Sequence, residues 1–221
     1  MSVIIGSRLP DLVHEHAASL GRDITILEAG CGRLSHWEYP AGARVAGLDI
    51  SEDQLARNDR VDEKFHGDVQ TWDTDRQWDV VASVYVLEHI HDPRRAVANM
   101  LKWTRPGGLL VVAVPNALSL KGLVTKFTPF GFHGWFYRNI YRRPHAIFPT
   151  VMDWSVTPAN LRKQLAENEI VLERFDTETL SRAFDPVYQA LVGLLKILTL
   201  GRWNAGNSNY LLVVRKAQTT G

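Results

Sequence analysis

The sequence predicts an α/β fold built on an open, mostly parallel sheet with helices on both faces. Three observations carry that reading. The apolar, β-branched runs DITILEAG (23–30), ARVAGLDI (43–50), WDVVASVYV (78–86) and GLLVVAVPN (108–116) are continuous rather than alternating, as strands covered on both faces require. Helical segments and short links separate these runs, the rhythm of strand–crossover–strand units. A turn holding Gly30 and Gly32 follows the first run directly, and in such sheets ligands sit beyond the carboxyl ends of the strands.

In chain order, the first strand ends at that turn and the second ends at Asp49–Ile50. SEDQLARND (51–59) reads as a helix, with Ser51 placed to cap it and acids in its first turn. PRRAVANMLKWT (93–104) reads as another, with Pro93 at a plausible first helical position. RPGG (105–108) then stops the helix and turns the chain into the strand at 108–116. Beyond Asn116 the rhythm breaks, and residues 117–156 are aromatic and basic without clear period. A helix resumes at TPANLRKQLAENE (157–169), followed by a strand at IVLERFD (170–176). A second excursion, 177–207, contains the apolar run ALVGLLKILTL (190–200), and SNYLLVVRKA (208–217) reads as the last strand. Residues 1–221 are expected to form a single domain, with the two excursions over its ligand edge.

Bulk properties exclude several classes. A chain of 221 residues, 45% hydrophobic, suits one core of substantial size. The formal net charge of +1 gives no reason to expect nucleic acid as a partner. Cys31 is the sole cysteine, so neither an internal disulfide framework nor a thiolate zinc cluster is available, and a reducing cytoplasmic setting is expected. The opening MSVIIGSRLP lacks the pattern of a signal peptide. His14 and His16, like His89 and His91, are spaced by two, which on a helix points the rings apart; no metal site is expected.

The glycine turn is not a phosphate cradle of the GxxxxGK[ST] kind, because no such lysine follows. A dinucleotide fingerprint would need glycine where Ser35 stands. Glu28, two residues before the first glycine, would repel a pyrophosphate and favour a ligand with cationic character. Asp49, nineteen residues after Gly30, can accept both hydroxyls of a ribose, a role that would equally serve a nicotinamide cofactor.

LEAGCG, GLDIS, GDV, DVVASVYVLEHIHDP and RPGGLLVVAVPN, in this order over roughly residues 23–116, resemble the motifs of class I (Rossmann-like) S-adenosylmethionine-dependent methyltransferases of small-molecule type. The resemblance implies a Rossmann-like, seven-stranded, mostly parallel sheet with a final antiparallel strand, and S-adenosyl-L-methionine as cofactor. It implies a small, hydrophobic or amphipathic acceptor, methylated at oxygen before carbon or nitrogen. Glu28 would help place the amino-acid moiety, while the backbone of Ala29, Gly30, Cys31 and Gly32 approaches the methionine and ribose portion. Asp49 and Ile50 would meet the ribose, Asp68 the adenine amino group with Val69 packed beside the ring, and Ser83 the cofactor from the fourth strand. Two departures stand out: Leu34 occupies the position of a third glycine, and Pro40 interrupts the helix expected after the turn. A nicotinamide-dependent oxidoreductase and a non-catalytic module binding a membrane or protein partner are the alternatives.

Methyl transfer to a hydroxyl is helped by a general base near neutrality, and His89 stands on the expected rim. On the acceptor side, FTPFGFHGWFYRNIYRRPHAIF (127–148) is aromatic and basic, which nominates His133, Trp135, Tyr137, Arg142 and His145. Residues 117–152 carry five Lys and Arg and no Asp or Glu, leaving the rest of the chain slightly acidic. This surface suits either a lid over the acceptor or peripheral contact with a membrane, as does the apolar stretch 184–203. For 184–203 a lipid-like acceptor wall, a core position and a homodimer contact are the other readings.

Overall fold

The computed structural model describes residues 8–35, 37–128, 153–177 and 185–218. Seven strands form one sheet: β1 (Thr25–Ala29), β2 (Arg44–Asp49), β3 (Glu63–His66), β4 (Trp78–Val84), β5 (Thr104–Pro115), β6 (Glu169–Asp176) and β7 (Asn209–Arg215). Their order across the sheet is β3-β2-β1-β4-β5-β7-β6, with β7 antiparallel to both neighbours and the other pairs parallel. The expected Rossmann-like sheet and its final antiparallel strand are both present.

The continuous apolar runs find two covered faces, and alternate residues divide between them. On one side Leu27, Val81, Leu110, Val112 and Leu212 pack with Ala96, Val97 and Met100 of the helix Pro93–Trp103 and with Leu161 of the helix Pro158–Gln164. On the other, Ile26, Val80, Leu109, Val111 and Leu211 pack with Leu9 and Val13 of the helix Leu9–Leu20. In chain order the helices are α1 (Leu9–Leu20), α2 (Glu52–Ala56), α3 (Pro93–Trp103), α4 (Leu120–Phe127), α5 (Pro158–Gln164) and α6 (Asp185–Leu198).

Several boundaries differ from the sequence reading. α2 is five residues rather than nine, although Ser51 does cap it by accepting from the Gln54 N–H at 3.4 Å. RPGG does not separate α3 from a strand at 108: β5 begins at Thr104, paired with Trp78, and the register then shifts between Trp78 and Val80. Gly107, at φ 76°, lies in that irregularity. The aperiodic excursion contains α4, capped by Ser119, whose side chain accepts from the Gly122 N–H at 2.9 Å. α5 ends at Gln164, short of the expected 169.

At the amino end of the parallel strands, Asp79 is buried and accepts from five donors. Arg22 donates at 2.8 and 2.6 Å, Arg105 at 2.8 Å, and the Thr25 N–H and hydroxyl at 2.9 and 2.8 Å. Burial opposes ionisation, but the two guanidiniums and Thr25 outweigh it and hold the carboxyl well below the usual carboxylate range. This cluster joins β1, β4 and the start of β5 at the edge opposite the glycine turn.

Asp79→Asn should therefore destabilise the fold by about 2–3 kcal/mol at pH 7, the low end for breaking a buried pair because both arginines are partly screened by solvent. The folded value lies below the ordinary 3.8, so the stabilisation is complete above pH 3.8 and is lost as pH falls through the folded value. Urea unfolding at pH 7 and pH 3 should show the difference between wild type and variant narrowing at the lower pH.

Candidate functional site

The carboxyl ends of β1, β2, β3 and β4 meet around the first glycine turn. Gly30 donates its N–H to the Leu48 carbonyl at 2.7 Å, and Cys31 donates to the same carbonyl at 3.1 Å, so the turn is tied to the last residues of β2. Gly30 has φ 81° and Gly32 has φ 51°, conformations that glycine adopts without a Cβ penalty. A Cβ on Gly30 would also overlap the Val86 side chain beyond β4. Asn58 braces the turn from the far end of α2, its amide donating to the Gly32 carbonyl at 3.1 Å.

Asp49, at the end of β2, is buried, and its carboxylate is oriented by two backbone donors. The Gly32 N–H reaches Oδ2 at 2.7 Å and the Ser51 N–H reaches Oδ1 at 2.8 Å. Each oxygen is thus fixed by one bond and retains acceptor capacity for a vicinal diol. The Asp49 carbonyl accepts from the Gly67 N–H at 3.0 Å, which brings Asp68 to the tip of β3 beside the tip of β2. Ile50 is exposed next to Asp49.

Glu28, in β1 just before the turn, is met by the chain that follows the turn. Its carboxyl is buried and accepts from the Ser35 hydroxyl at 3.0 Å, and Ser35 in turn accepts from the Tyr39 hydroxyl. Burial pushes the Glu28 carboxyl above its ordinary value, against the pull of Tyr39, Ser35 and Trp37. The Trp37 indole N–H is buried and lacks a partner in hydrogen-bond geometry. Cys31 fits the space-filling reading: its sulfur abuts Gly47, and burial together with the Asp49 and Glu28 carboxylates pushes its thiol up to about 12. Such a thiol is not a nucleophile at neutral pH.

Asp68 spends much of its carboxylate locally. Oδ1 accepts from the Gln70 N–H at 2.8 Å, and the Gln70 side-chain amide donates to both oxygens at 3.0 and 2.9 Å. Gln70 also accepts from the Asp92 N–H at 2.9 Å, linking this turn to the cap of α3. Val69 is buried within the core on that side, and Ala29 belongs to the same cluster.

Ser83, near the end of β4, has a buried hydroxyl with no partner, and Glu88 has a buried Oε2 with none. Glu88 and His89 lie in a single 3₁₀ turn, Leu87–His89. His89 is partly exposed, with Nε2 3.9 Å from Glu88 Oε1, and burial pushes the Glu88 carboxyl up to about 8. Tyr85, at the junction, has φ 57°, an uncommon conformation for a bulky residue and one that gathers at functional sites.

The expected cofactor residues Glu28, Ala29, Gly30, Cys31, Gly32, Asp49, Ile50, Asp68, Val69 and Ser83 therefore fall at four neighbouring strand tips, with His89 just beyond β4. His133, Trp135, Tyr137, Arg142 and His145 lie outside the described residues, as does most of 127–148. Sequence reasoning missed Ser35 and Tyr39 around Glu28, Asn58 beneath the turn, and Gln70 on Asp68. Among the described residues, no group of three or more His, Cys, Asp or Glu could hold a metal ion.

Residues 4–171 match the family model described as "Methyltransferase domain". A protein of Mycolicibacterium smegmatis named "Probable S-adenosylmethionine-dependent methyltransferase" is 36% identical over 118 residues, 50% of this chain and 45% of the relative. A "Ubiquinone biosynthesis O-methyltransferase" of Rhodopseudomonas palustris is 28% identical over 181 residues, 74% of this chain and 63% of the relative. The chain thus spans about half to two thirds of the length of these relatives. In fold it resembles the [4+2]-cyclase SpnF at a TM-score of 0.54 and 18% identity, covering 96% of this chain and 81% of that one.

Glu88 provides a direct check of the geometry beyond β4. Its value is raised from 4.5 to about 8, so its contribution to stability is complete below pH 4.5 and is lost as pH rises through 8. Glu88→Gln should remove a slope of at most about 1.4 kcal/mol per pH unit between pH 5 and 8. Chemical denaturation of both proteins across that range measures it.

Proposed function

The chain belongs to the methyltransferase-domain family, and from that premise we propose an S-adenosylmethionine-dependent methyltransferase that acts at oxygen on a small, amphipathic acceptor. One observation carries the cofactor assignment: the Asp49 carboxylate is fixed by the Gly32 and Ser51 N–H groups at the tip of β2, directly against the open glycine turn of β1. A carboxylate so oriented matches the two hydroxyls of a ribose. The residues fit the rest of the group as well. Gly30 and Gly32 present no Cβ at their own positions, the Cys31 side chain turns inward against Gly47, and the buried, unpartnered Ser83 hydroxyl supplies a polar atom at the neighbouring strand.

In this reading Asp49 holds the ribose, the backbone from Ala29 to Gly32 lies along the methionine portion, and Ile50 covers the exposed side of the nucleoside. Asp68 and Val69 stand toward the adenine, with Gln70 holding the Asp68 carboxylate in place. Glu28 acts through Ser35 and Tyr39, shaping the floor of the turn rather than meeting the ligand in the open. When bound, S-adenosylmethionine supplies an electrophilic methyl group on a cationic sulfur. What the chain must add is alignment and exclusion of water.

His89 is the candidate base. It would take the acceptor's hydroxyl proton on a ring nitrogen, leaving the acceptor oxygen as the nucleophile. The named O-methyltransferase relative supports oxygen as the acceptor atom. An acceptor of this kind concentrates at lipid surfaces, so peripheral contact with a membrane belongs to the same reading. No observation favours a nicotinamide cofactor.

Calorimetric titration tests the cofactor, with binding of both S-adenosylmethionine and S-adenosylhomocysteine expected. Asp49→Ala should weaken that binding by about 1.5–3 kcal/mol, the scale of lost hydrogen bonds to a charged acceptor. No binding to folded wild-type protein would end the reading. His89→Ala should leave cofactor affinity unchanged while lowering kcat by about 10²-fold or more. Release of S-adenosylhomocysteine with hydroxylated amphipathic acceptors measures that effect.

A further inference from the structure

We propose that α6 and the adjoining α4 form a docking surface for an anionic lipid interface. α6 has one face committed to the fold: Tyr188 and Val192 are buried with Ala205, and Leu120, Leu195 and Trp203 pack against them. Its other residues expose Val187, Leu191, Leu194, Ile197 and Leu198, with Ile197 at 73% and Leu198 at 69%. Positions 187, 191, 194 and 198 are separated by four, three and four residues, so they line one stripe of the helix. Two residues past the helix, Leu200 sits at φ 52° and is 88% exposed. A leucine in the left-handed region carries a conformational cost, and burial among the described residues offsets little of it.

α4 is fixed to the same unit. Leu120 donates its N–H to the Ala205 carbonyl at 2.8 Å, and the Trp203 indole donates to the Leu118 carbonyl at 2.8 Å. α4 exposes Val124 and Phe127, the latter at 74%. On α6 alone four exposed apolar side chains stand in one row rather than singly, and such faces mark interaction sites.

Charge selects the occupant. Asp185, in the first turn, is the sole acid of α6, and no Asp or Glu follows from Pro186 to Gly221. None occurs from Ala117 to Met152 either, whereas Lys121, Lys126, Lys196 and Arg202 lie on or beside the two helices. A second copy docked here would set like charges together, which is costly. Anionic headgroups complement them, and aliphatic tips on a helix lying flat enter the acyl boundary. Contact would be peripheral: α6, at 14 residues, is about 21 Å long against a hydrocarbon core of about 30 Å. No helix among the described residues is long and apolar enough to cross a membrane.

The unit also stands at a telling edge. Pro115, the end of β5, pairs with Asn209, the start of β7, so α4 and the segment after α6 leave the sheet where the parallel strands end. That is the edge holding the glycine turn and Asp49. Lipid docking there would bring a membrane-borne acceptor to the strand tips, and only this last step rests on the proposed methyl transfer.

Co-sedimentation with vesicles of phosphatidylglycerol and phosphatidylcholine, against vesicles of phosphatidylcholine alone, tests the surface. Wild type should pellet with the anionic vesicles. Leu194→Glu/Ile197→Glu should abolish pelleting while thermal stability and S-adenosylmethionine affinity, measured separately, stay at wild-type values. Lys196→Glu/Arg202→Glu leaves the apolar stripe intact and should weaken anionic binding about tenfold or more. Absence of pelleting by wild type, equal pelleting with neutral vesicles, or pelleting unchanged in both variants would overturn the proposal. So would light scattering that shows wild-type dimers dissociated by Leu194→Glu/Ile197→Glu without vesicle binding.

Discussion

Burying both faces of a sheet leaves its edges as the places where backbone groups can meet a ligand. Here α1 covers one face, α3 and α5 cover the other, and the alternate residues of β1, β4, β5 and β7 are apolar on both sides. The parallel crossovers bring the carboxyl ends of five strands to one edge, which gathers Gly30, Asp49, Asp68 and Ser83 from segments far apart in the chain. The amino edge has the opposite character. It is closed by Asp79, Arg22, Arg105 and Thr25, whose hydrogen bonds are nearly all spent on one another. One edge is an ionic seal and the other keeps buried acceptors with capacity to spare.

That division explains what the sequence could disclose. Strands buried on both faces announce themselves through uninterrupted apolar runs, and β1, β2, β4, β5 and β7 were legible for that reason. β3 was not: Glu63, Lys64 and His66 are exposed on an edge strand, so EKFH offers no hydrophobic pattern. α4 escaped because its apolar residues sit within an aromatic tract that obscures any period. The glycine turn and Asp49 were readable from spacing, since both lie at the ends of legible strands. The environment of Glu28 was not, because Ser35 and Tyr39 are ordinary residues until the chain folds back beneath the turn. The positive φ of Tyr85 and the burial of Glu88 likewise arise from packing beyond β4, and nothing in VYVLEH distinguishes them locally.

Fold and chemistry separate cleanly in this molecule. A structure named as a cyclase shares the architecture at 18% identity, so the sheet alone does not specify a reaction. The proposed methyl transfer follows instead from family membership and from a carboxylate held open to a diol. The excursions that interrupt the strand rhythm, the proposed acceptor side, replace the core pattern of the sequence with aromatic, basic and aliphatic residues. Ligand-binding variety in such folds resides in these insertions because they can change without disturbing the sheet.

The place of β7 has an outcome for biogenesis. It is the last of the described strands in chain order, yet it is wedged between β5 and β6, which are made earlier. Until it emerges from the ribosome, β5 and β6 each present a bare flank of amides and carbonyls, the kind of surface that recruits stray strands from other nascent chains. The sheet thus stays divided over the interval between synthesis of Phe175 and of Tyr210, whose rings then close together at 4.9 Å.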